Sequence, residues 1–437
     1  MTKGLTMRLI PALMMLGFAG VAGASGFALQ NQSGSANGNA FAGAAAAAED
    51  ASTIFFNPAG MTYLGQGHNI SLSGTVLDRS IKFKNTGTTN TGAMNAGNLS
   101  NGGDGGGTAF LPHGYWAYSI APDVWVGVGV GPTFGNKTEY DKNFIGRNAG
   151  FSTEIEQINI NPSIAFKVND MLSIGMGVNL AYADLRLKQG VPAQNGYVDI
   201  NGDAWGFGAN IGAMFQLSPS TRVGLTYRSA IDFDIQGKVK PKGGVTGASA
   251  LLFSNQNITA DGYNTPGSMS LAVSQKLSDK WEMLGDITWT DWSQLNTLTL
   301  KTRNGNALGM PAGSKLTALS YSFKDSFRFG LGANYQYNDA WKLRFGVAYD
   351  QTPVNNKEDR TMTLPDSDRV WLSFGGKYTL SKVSSLDFGY SHIFFKDVKT
   401  SRAVTAPPAN TTLLQTVNGE WNSNRADLLS VQYNHTF

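Results

Sequence analysis

The sequence predicts an all-β fold, a transmembrane antiparallel β-barrel of about 14 strands. Segments of alternating apolar and polar residues recur along the chain, and tight turns alternate with long connections between them. Charged residues make up only 15% of the 437 residues, against about 25% in ordinary soluble domains. After residue 24 no apolar run reaches the ~18 residues of a membrane-spanning helix, and cysteine is absent. Strands must therefore cross the membrane and hold the fold together.

The alternation is clearest in three segments. In 341–350 the odd positions are apolar or aromatic and the even positions are small or charged, and 369–380 and 221–235 follow the same pattern. Successive side chains of a strand point to opposite faces, so each segment has one apolar and one polar wall. A soluble β-sandwich would also alternate, with shorter strands and turns at similar spacing.

The lengths of the connections favour the barrel over the sandwich. The tight links are rich in Pro, Asn, Asp and Ser, which favour turns, and long links such as 85–108, 238–265 and 401–421 alternate with them. This pattern is typical of outer-membrane barrels, with turns in the periplasm and long loops outside the cell. The predicted strands are 68–84, 109–121, 124–138, 151–168, 171–188, 203–218, 221–237, 266–277, 281–301, 319–337, 341–352, 368–380, 384–400 and 422–437.

The first residues have the features of an export signal. Residues 1–24 combine a basic start at Lys3 and Arg8, an apolar run, and the small-x-small cleavage site Ala22-Gly23-Ala24. The alternative is an uncleaved anchor helix. Cleavage would leave Ser25 as the first mature residue. The mature chain would then have 34 − 2 = 32 basic and 31 acidic residues, without the excess of basic residues that is typical of nucleic-acid binding.

The stretch from Ser25 to Met61 supplies the most specific motif. It contains Gly26-Phe27-Ala28-Leu29, Gly38-Asn39-Ala40-Phe41-Ala42-Gly43, Glu49-Asp50-Ala51 and Asn57-Pro58-Ala59. These motifs resemble the N-terminal hatch of the FadL family, the outer-membrane channels for long-chain fatty acids and other hydrophobic molecules. The resemblance covers the mature chain and implies a signal peptide at 1–24, a hatch that plugs the lumen at 25–66 and a barrel at 67–437. It makes Asn57, Pro58, Ala59 and Phe41 candidates for the hatch gate.

The family also has a kink in its third strand that opens the wall sideways. In the third predicted strand, Gly131-Pro132 and Gly135 fall where this kink would be, and a proline cannot donate to the strand ladder. The resemblance therefore implies a lateral opening at Gly131, Pro132 and Gly135. A simple bulge at the strand end is the alternative.

Two further groups of residues are candidates for ligand binding. Basic residues on the inward parity could hold a carboxylate head group, or they could pair with Asp232, Asp234, Asp325 or Asp350. These basic residues are Arg228, Lys324, Arg328 and Arg369. The apolar run Leu251, Leu252 and Phe253 in the long link 238–265 suggests a ligand-capture loop, although the family's partner loop, here 189–202, is short.

The outward-facing residues predict the surroundings of the barrel. Asp184, Arg186 and Lys188 continue the series of alternate strand positions whose side chains point outward. They should lie above the bilayer, facing lipopolysaccharide. The last strand alternates up to Phe437, which resembles the signal used by the outer-membrane assembly machinery. No feature demands an oligomer, so a monomer is expected.

No catalytic constellation is evident in the sequence. Gly127–Gly131 is not followed by a helix, so it does not form a phosphate-binding loop. The four histidines lack metal-ligand spacing, and no serine lies in a nucleophile elbow. We therefore expect neither an enzyme nor a cofactor. The resemblance implies passive import of long-chain fatty acids. The alternatives are uptake of aromatic or other small hydrocarbons and, from another class, a structural or adhesive barrel without transport.

Overall fold

The computed structural model describes residues 26–91, 99–254, 256–409 and 411–437. The predicted signal peptide and Ser25 lie outside these residues. Within them, fourteen long antiparallel strands form the wall of a barrel. They are β1 (His68–Ser80), β2 (Gly107–Ala121), β3 (Val124–Glu139), β4 (Ser152–Lys167), β5 (Leu172–Gly190), β6 (Tyr197–Ser218), β7 (Thr221–Arg228), β8 (Ser268–Lys276), β9 (Trp281–Thr290), β10 (Ser326–Gln336), β11 (Trp341–Asp350), β12 (Arg369–Ser381), β13 (Ser384–Phe395) and β14 (Arg425–Thr436).

The wall closes on itself through its first and last strands. Leu72 of β1 lies opposite Tyr433 of β14 on one side and opposite Gly114 of β2 on the other. Tight turns join β2 to β3, β4 to β5, β6 to β7, β8 to β9, β10 to β11 and β12 to β13. We call the end with these turns the inner end and the opposite one the outer end. The predicted fourteen-stranded antiparallel barrel is confirmed.

The long links at the outer end are themselves largely ordered. Four short strands extend the wall beyond β6, and the predicted loop 189–202 is a turn between the long strands β5 and β6. The additional elements here are the strands Phe83–Asn85, Thr89–Asn90, Ile231–Asp232, Ile235–Lys242, Gln256–Asp261, Asn264–Thr265, Thr297–Thr302, Lys315–Ser320, Val398–Thr405 and Leu413–Trp421, the α-helix Gly247–Leu252, and the 3-10 helices Arg147–Ala149 and Trp292–Gln294.

Five predicted strands were wrong for one physical reason. Each combines a barrel strand with a separate segment at the outer end, and these are 68–84, 221–237, 281–301, 319–337 and 384–400. The breaks fall after Ser80, after Arg228, after Thr290, before Ser326 and after Phe395. Alternation continues on both sides of each break, so periodicity alone does not reveal where the chain leaves the wall.

The two faces of the wall differ as a membrane barrel requires. Apolar side chains such as Leu72, Phe345 and Val431 point outward and are about half exposed, at 55%, 46% and 54%. Aromatic pairs lie near the inner end, including Trp341 and Tyr378 with ring centroids 4.8 Å apart. Among the helices of the described residues, none is long and apolar enough to cross a membrane.

The lumen is filled by the segment that precedes β1, which we call the hatch, residues 26–66. Its helices are short: the α-helices Gly34–Asn37, Ala44–Ala47 and Thr53–Phe56 and the 3-10 helix Pro58–Tyr63. Most hatch residues are buried. Small side chains on the hatch and glycines on the wall let the two backbones approach closely.

The hatch also contacts the last strand of the barrel. The side-chain oxygen of Gln432 on β14 accepts hydrogen bonds from the Ser33 hydroxyl at 3.0 Å and from the Gly34 N–H at 2.8 Å. The Asn37 side-chain amide donates to the Ser430 hydroxyl, 2.9 Å away. The beginning and the end of the described chain therefore meet inside the lumen.

Candidate ligand pocket and its gate

The third strand loses its partner on one side. Within the described residues, β2 and β3 pair from Ala121 as far as Gly114 opposite Val130, whereas β2 continues to Gly107 along β1. The register of β3 against β4 shifts between Pro132 and Phe134. The wall therefore has a gap between the outer halves of β2 and β3, which we call the lateral gap.

The first hatch residues occupy the inner side of this gap. The N–H of Leu29 donates to the Thr133 carbonyl at 2.9 Å, and the N–H of Gly135 donates to the Phe27 carbonyl at 2.8 Å. Ala28 forms an antiparallel bridge with Phe134. The hatch thus satisfies backbone groups that the shifted strand would otherwise leave unpaired in an apolar environment.

A polar cluster stabilises the bend itself. The Pro132 carbonyl accepts hydrogen bonds from the Gln32 amide at 2.7 Å and from Nε2 of His113, 3.2 Å away. A Cβ on Gly131 would lie 2.3 Å from the His113 ring, so only glycine fits there. The predicted Gly131, Pro132 and Gly135 all lie at this irregular part of β3, which continues to Glu139.

A cavity of about 110 Å³ lies between the hatch and the wall, behind the lateral gap. Its apolar lining comes mainly from the hatch and β3, and its polar lining comes mainly from β4, β5 and β7 to β10. The lining residues used below are Leu29, Phe41, Phe55, Phe56, Phe134, Gln157, Asn159, Asn179, Arg228, Asp286 and Arg328.

An aromatic cluster covers the outer side of the cavity, and we call it the lid. Phe27 lies edge-on to Trp292 and to Phe134, with ring centroids 5.1 and 5.8 Å apart, and stacks on Tyr263 at 6.2 Å. Phe323 packs on the far side of Trp292 at 5.8 Å. Burial raises the pKa of the Tyr263 phenol far above its ordinary value.

Two of the four predicted cations line the cavity, and their surroundings differ. Arg328 is buried, and its guanidinium lies 3.3 Å from the Asp286 carboxylate, so its charge is compensated. Arg228 is partly buried, donates to Asn179 Oδ1 and to the Phe55 carbonyl, and lies 4.4 Å from the centre of the Phe55 ring. Among the described residues, Arg228 has hydrogen-bond acceptors but no carboxylate in ion-pair contact.

The other two predicted cations lie elsewhere. Arg369 is buried in a small separate cavity and pairs with Asp366 and, at 3.7 Å, with Asp350. Lys324 is exposed in the link before β10, so the inward parity predicted for it was wrong. The error follows from the strand end, because β10 begins two residues later, at Ser326.

The Asn57-Pro58-Ala59 motif fastens the hatch to the inner half of the wall. The buried Asn57 donates to the carbonyls of Ala45 and Ala213, at 2.9 and 3.0 Å, and its oxygen caps the helix that starts at Pro58. A Cβ on Gly212 would lie 2.0 Å from Asn57 Oδ1. This motif is therefore an anchor for the hatch at the inner half of β6.

Phe41 has a different place. Its ring lies edge-on to Trp371 at 6.1 Å and lines the cavity, and its backbone has a φ of 60°, in the left-handed region. A non-glycine residue in that region indicates a conformation imposed by its surroundings.

A buried ion cluster forms a second anchor, which the sequence analysis missed. Glu49 of the hatch lies 2.6 Å from Arg344 on β11, and Arg344 lies 2.9 Å from Asp387 on β13. Lys342 lies 3.5 Å from the same Glu49 carboxylate. Alternation placed Arg344 on the inward face, but only the three-dimensional register brings it to Glu49, 295 positions away in sequence.

The predicted capture loop is mostly buried. Leu252 and Phe253 end the helix Gly247–Leu252 and are 5% and 6% exposed, packed in the apolar cluster of the outer extension. Only Leu251 of the three is exposed, at 45%. An apolar run in a long link therefore marks the core of an ordered outer structure here, not a free apolar surface.

A closed barrel with an apolar outer face, a filled lumen and an apolar pocket beside a wall gap defines an outer-membrane channel for hydrophobic molecules. The sequence matches the family described as "Outer membrane protein transport protein (OMPP1/FadL/TodX)" over residues 15–437. It is 30% identical over 450 residues to a putative outer membrane protein of Neisseria meningitidis, covering 95% of each chain. The chain belongs to this family of outer-membrane transporters.

Other relatives are similar in sequence, and solved structures share the fold. The chain is 27% identical over 419 residues to a long-chain fatty acid transport protein of Escherichia coli, covering 86% of this chain and 89% of that one. The fold matches a FadL homologue of Pseudomonas aeruginosa with a TM-score of 0.84 and 24% identity, over 94% and 100% of the two chains. It matches the toluene transporter TodX of Pseudomonas putida with a TM-score of 0.66 and 18% identity, over 95% and 100%.

Proposed function

We propose that this protein is a passive channel for the uptake of long-chain fatty acids. The observation that carries the proposal is Arg228, a cation in the wall of a largely apolar cavity whose described neighbours include no paired carboxylate. A fatty acid supplies the missing anion together with an apolar chain, and arginine binds a carboxylate through two parallel hydrogen bonds. The names of several relatives support this ligand class.

Uptake of aromatic hydrocarbons is the second candidate, and the size of the cavity favours it. At about 110 Å³ the cavity is close to the ~150 Å³ of a cavity that binds benzene. A long acyl chain fits only if it extends past the lid or into the lateral gap. A neutral hydrocarbon gains little binding energy from Arg228, so the effect of an Arg228 substitution on ligand affinity distinguishes the two candidates.

We propose a route that uses the lid, the cavity and the lateral gap in that order. The ligand enters from the outer, extracellular end, passes Phe27 and Trp292, and binds beside Arg228. It then leaves through the gap between β2 and β3 into the bilayer, because its apolar surface prefers lipid to water. This step requires that Phe27 and Leu29 release Gly135 and Thr133, which makes the first hatch residues the moving part. The anchors at Asn57 and Glu49 hold the rest of the hatch.

We also propose the remaining features of the exported protein. The signal peptide spans residues 1–24, and the hatch at 25–66 and the barrel at 67–437 form a monomer. Arg186 and the partly exposed Lys188 lie on the outer face above the bilayer, where they contact lipopolysaccharide phosphates while pairing with Asp184 and Glu139 at 3.0 and 2.9 Å. The outer-membrane assembly machinery recognises the strand that ends at Phe437.

Replacing Arg228 tests the proposal directly. Arg228→Gln should weaken fatty-acid binding by about 1.5–3 kcal/mol, or about 10- to 150-fold in Kd, the range for hydrogen bonds to a charged group. Toluene binding should barely change. The matched control is Lys324→Gln, which removes a cation from an exposed link outside the cavity.

Binding is measured by calorimetry on the purified protein, and uptake is measured in cells that lack their own fatty-acid channel. Heat-modifiable gel mobility establishes that each variant forms a barrel. Equal fatty-acid affinity of Arg228→Gln and the unmodified protein would reject the head-group site. Toluene binding without fatty-acid binding would favour the second candidate.

A further inference from the structure

The edge of β3 that faces the lateral gap has partners from different parts of the chain. Alternate residues of a strand direct their backbone N–H and C=O groups to the same edge. The hatch occupies this edge as far as Gly135. Further out, the carbonyl of Lys137 accepts a hydrogen bond from Arg79 of β1 at 2.6 Å. The N–H of Glu139 then donates to the Gly105 carbonyl at 3.1 Å. Residues outside the hatch therefore cover the outer part of the edge.

Arg79 spans the gap from the lumen side. It is 8% exposed, and its strand partner on β2 is Gly107, so its side chain reaches past β2 to β3. Besides the Lys137 carbonyl, the guanidinium binds the Thr138 hydroxyl at 3.1 Å and Asn136 Oδ1, which lies 3.3 Å from each of its two terminal nitrogens. A planar guanidinium presents its donors in a rigid fork, so this one side chain fastens three consecutive residues of β3.

The hatch contacts and the Arg79 contacts differ in what an exit step requires of them. The hatch must release β3 before a ligand can pass, whereas Arg79 belongs to a strand that β14 and β2 hold on both sides. With Arg79 in place, the stretch of β3 that can open is 131–135, about 17 Å at ~3.3 Å per residue. Without Arg79, the next contact outward among the described residues joins Gly105 and Glu139. The opening would then extend over 131–138, or about 26 Å.

We propose that Arg79 sets the size limit of the lateral exit, an inference that rests on the proposed lateral route. A slim acyl chain passes through the segment 131–135. A ligand with a large ring system must also separate Arg79 from Lys137, and this requirement slows its exit. Arg79 is a positioning residue, because it acts on the frame of the gap and not on the ligand. It determines specificity by ligand bulk, whereas Arg228 recognises the head group.

The experiment compares the uptake of hexadecanoic acid with that of pyrenedodecanoic acid, a fatty acid with a bulky end, in cells that lack their own fatty-acid channel. We call the uptake rate of the pyrenyl acid divided by that of hexadecanoic acid the bulk ratio. In Arg79→Met the bulk ratio should rise about 10- to 150-fold, the factor that corresponds to one hydrogen bond to a charged group. In Arg79→Lys it should rise less, because an ammonium group can still donate to the Lys137 carbonyl.

The width of the gap is measured on the same variants. The chain has no cysteine, so spin labels can be attached specifically at Phe110→Cys on β2 and Lys137→Cys on β3. The distribution of distances between the two labels should extend to longer values in Arg79→Met. Thr138→Val, which removes one acceptor of Arg79, should change the bulk ratio and the distances in the same direction by less, and it tests the same contact if Arg79→Met does not form a barrel.

Arg147→Met is the matched control. Arg147 is also a buried arginine at the outer end, 6% exposed, and it donates to the carbonyls of Asn195 and Gly196 at 2.9 and 2.7 Å, in the turn between β5 and β6. Its substitution should leave both measurements unchanged. An unchanged bulk ratio in the Arg79 and Thr138 variants, or a rise without any change in the distances, overturns the inference while the lateral route stands. Uptake at the unmodified rate after deletion of 131–135 overturns the two together.

Discussion

The Glu49 anchor gives the sharpest test of how the hatch is held. The Glu49 side chain is 16% exposed, and its partners Arg344 and Asp387 are 3% and 1% exposed, so water screens this cluster weakly. Glu49 accepts hydrogen bonds from Arg344 at 2.6 and 3.2 Å and from Asn334 at 3.1 Å. Glu49→Gln removes the charge but keeps one acceptor oxygen.

The expected loss in the free energy of hatch release follows from the interactions that remain after this substitution. Removing one partner of a buried ion pair costs about 3–5 kcal/mol. Arg344 retains Asp387, and the new amide oxygen retains one hydrogen bond, so we expect about 2–3 kcal/mol for Glu49→Gln. The population with the hatch released should rise about 30- to 150-fold.

Hydrogen exchange of hatch peptides measures this population, and ion conductance in planar bilayers reports the opened lumen. Lys342→Gln is the control, because Lys342 lies 3.5 Å from the same carboxylate but is 24% exposed. The control should change the free energy of hatch release by less than about 1 kcal/mol. If hatch amides of Glu49→Gln exchange at the unmodified rate, the anchor role of this cluster is refuted.

Three further predictions concern the irregular part of β3, the contact between Gly212 and the Asn57 anchor, and the topology. Deleting 131–135 to restore a regular third strand should abolish uptake while the barrel still shows heat-modifiable mobility, and uptake at the unmodified rate would exclude the lateral route. Gly212→Ala should displace the hatch and raise conductance, whereas Gly285→Ala should not, because its Cβ would have no contact closer than 3.5 Å. Tags inserted in 238–265 or in the other long links 85–108 and 401–421 should be reachable on intact cells, whereas tags at Asn169-Asp170 or Asn338-Asp339 should not. Labelling of tags at these two turns on intact cells would show that the barrel has the opposite orientation in the membrane.

The sequence predicts the wall of the barrel well because alternation is a local property. Each of the fourteen strands needs only its own residues to define two faces, and Gly131-Pro132 marks an irregular backbone by its own chemistry. The errors have a common origin in the outer extension. Lys324 was assigned to a strand that starts two residues later, and the apolar Leu252 was assigned to an open loop, although it is buried in an ordered one.

The site itself depends on contacts between distant segments. Neither Glu49 nor Arg344 shows by itself that the two will pair, and the amide network from Arg228 to Asn159 exists only because β4, β5 and β7 bring it together. The alternation of strand positions placed Arg228 and Arg328 in the lumen, but it could not show that Asp286 compensates the charge of Arg328 and not that of Arg228. Such distinctions require the register between strands, which no single strand encodes.

The contact of Gln432 with Ser33 and Gly34 has a consequence for the order of folding. The acceptor on β14 reaches its final position only when β14 pairs with β1, the step that closes the wall. The hatch therefore cannot complete its hydrogen bonds in an open sheet. Seating of the hatch and closure of the barrel are therefore coupled, because β14 carries the acceptor that holds Ser33 and Gly34 and also pairs with β1.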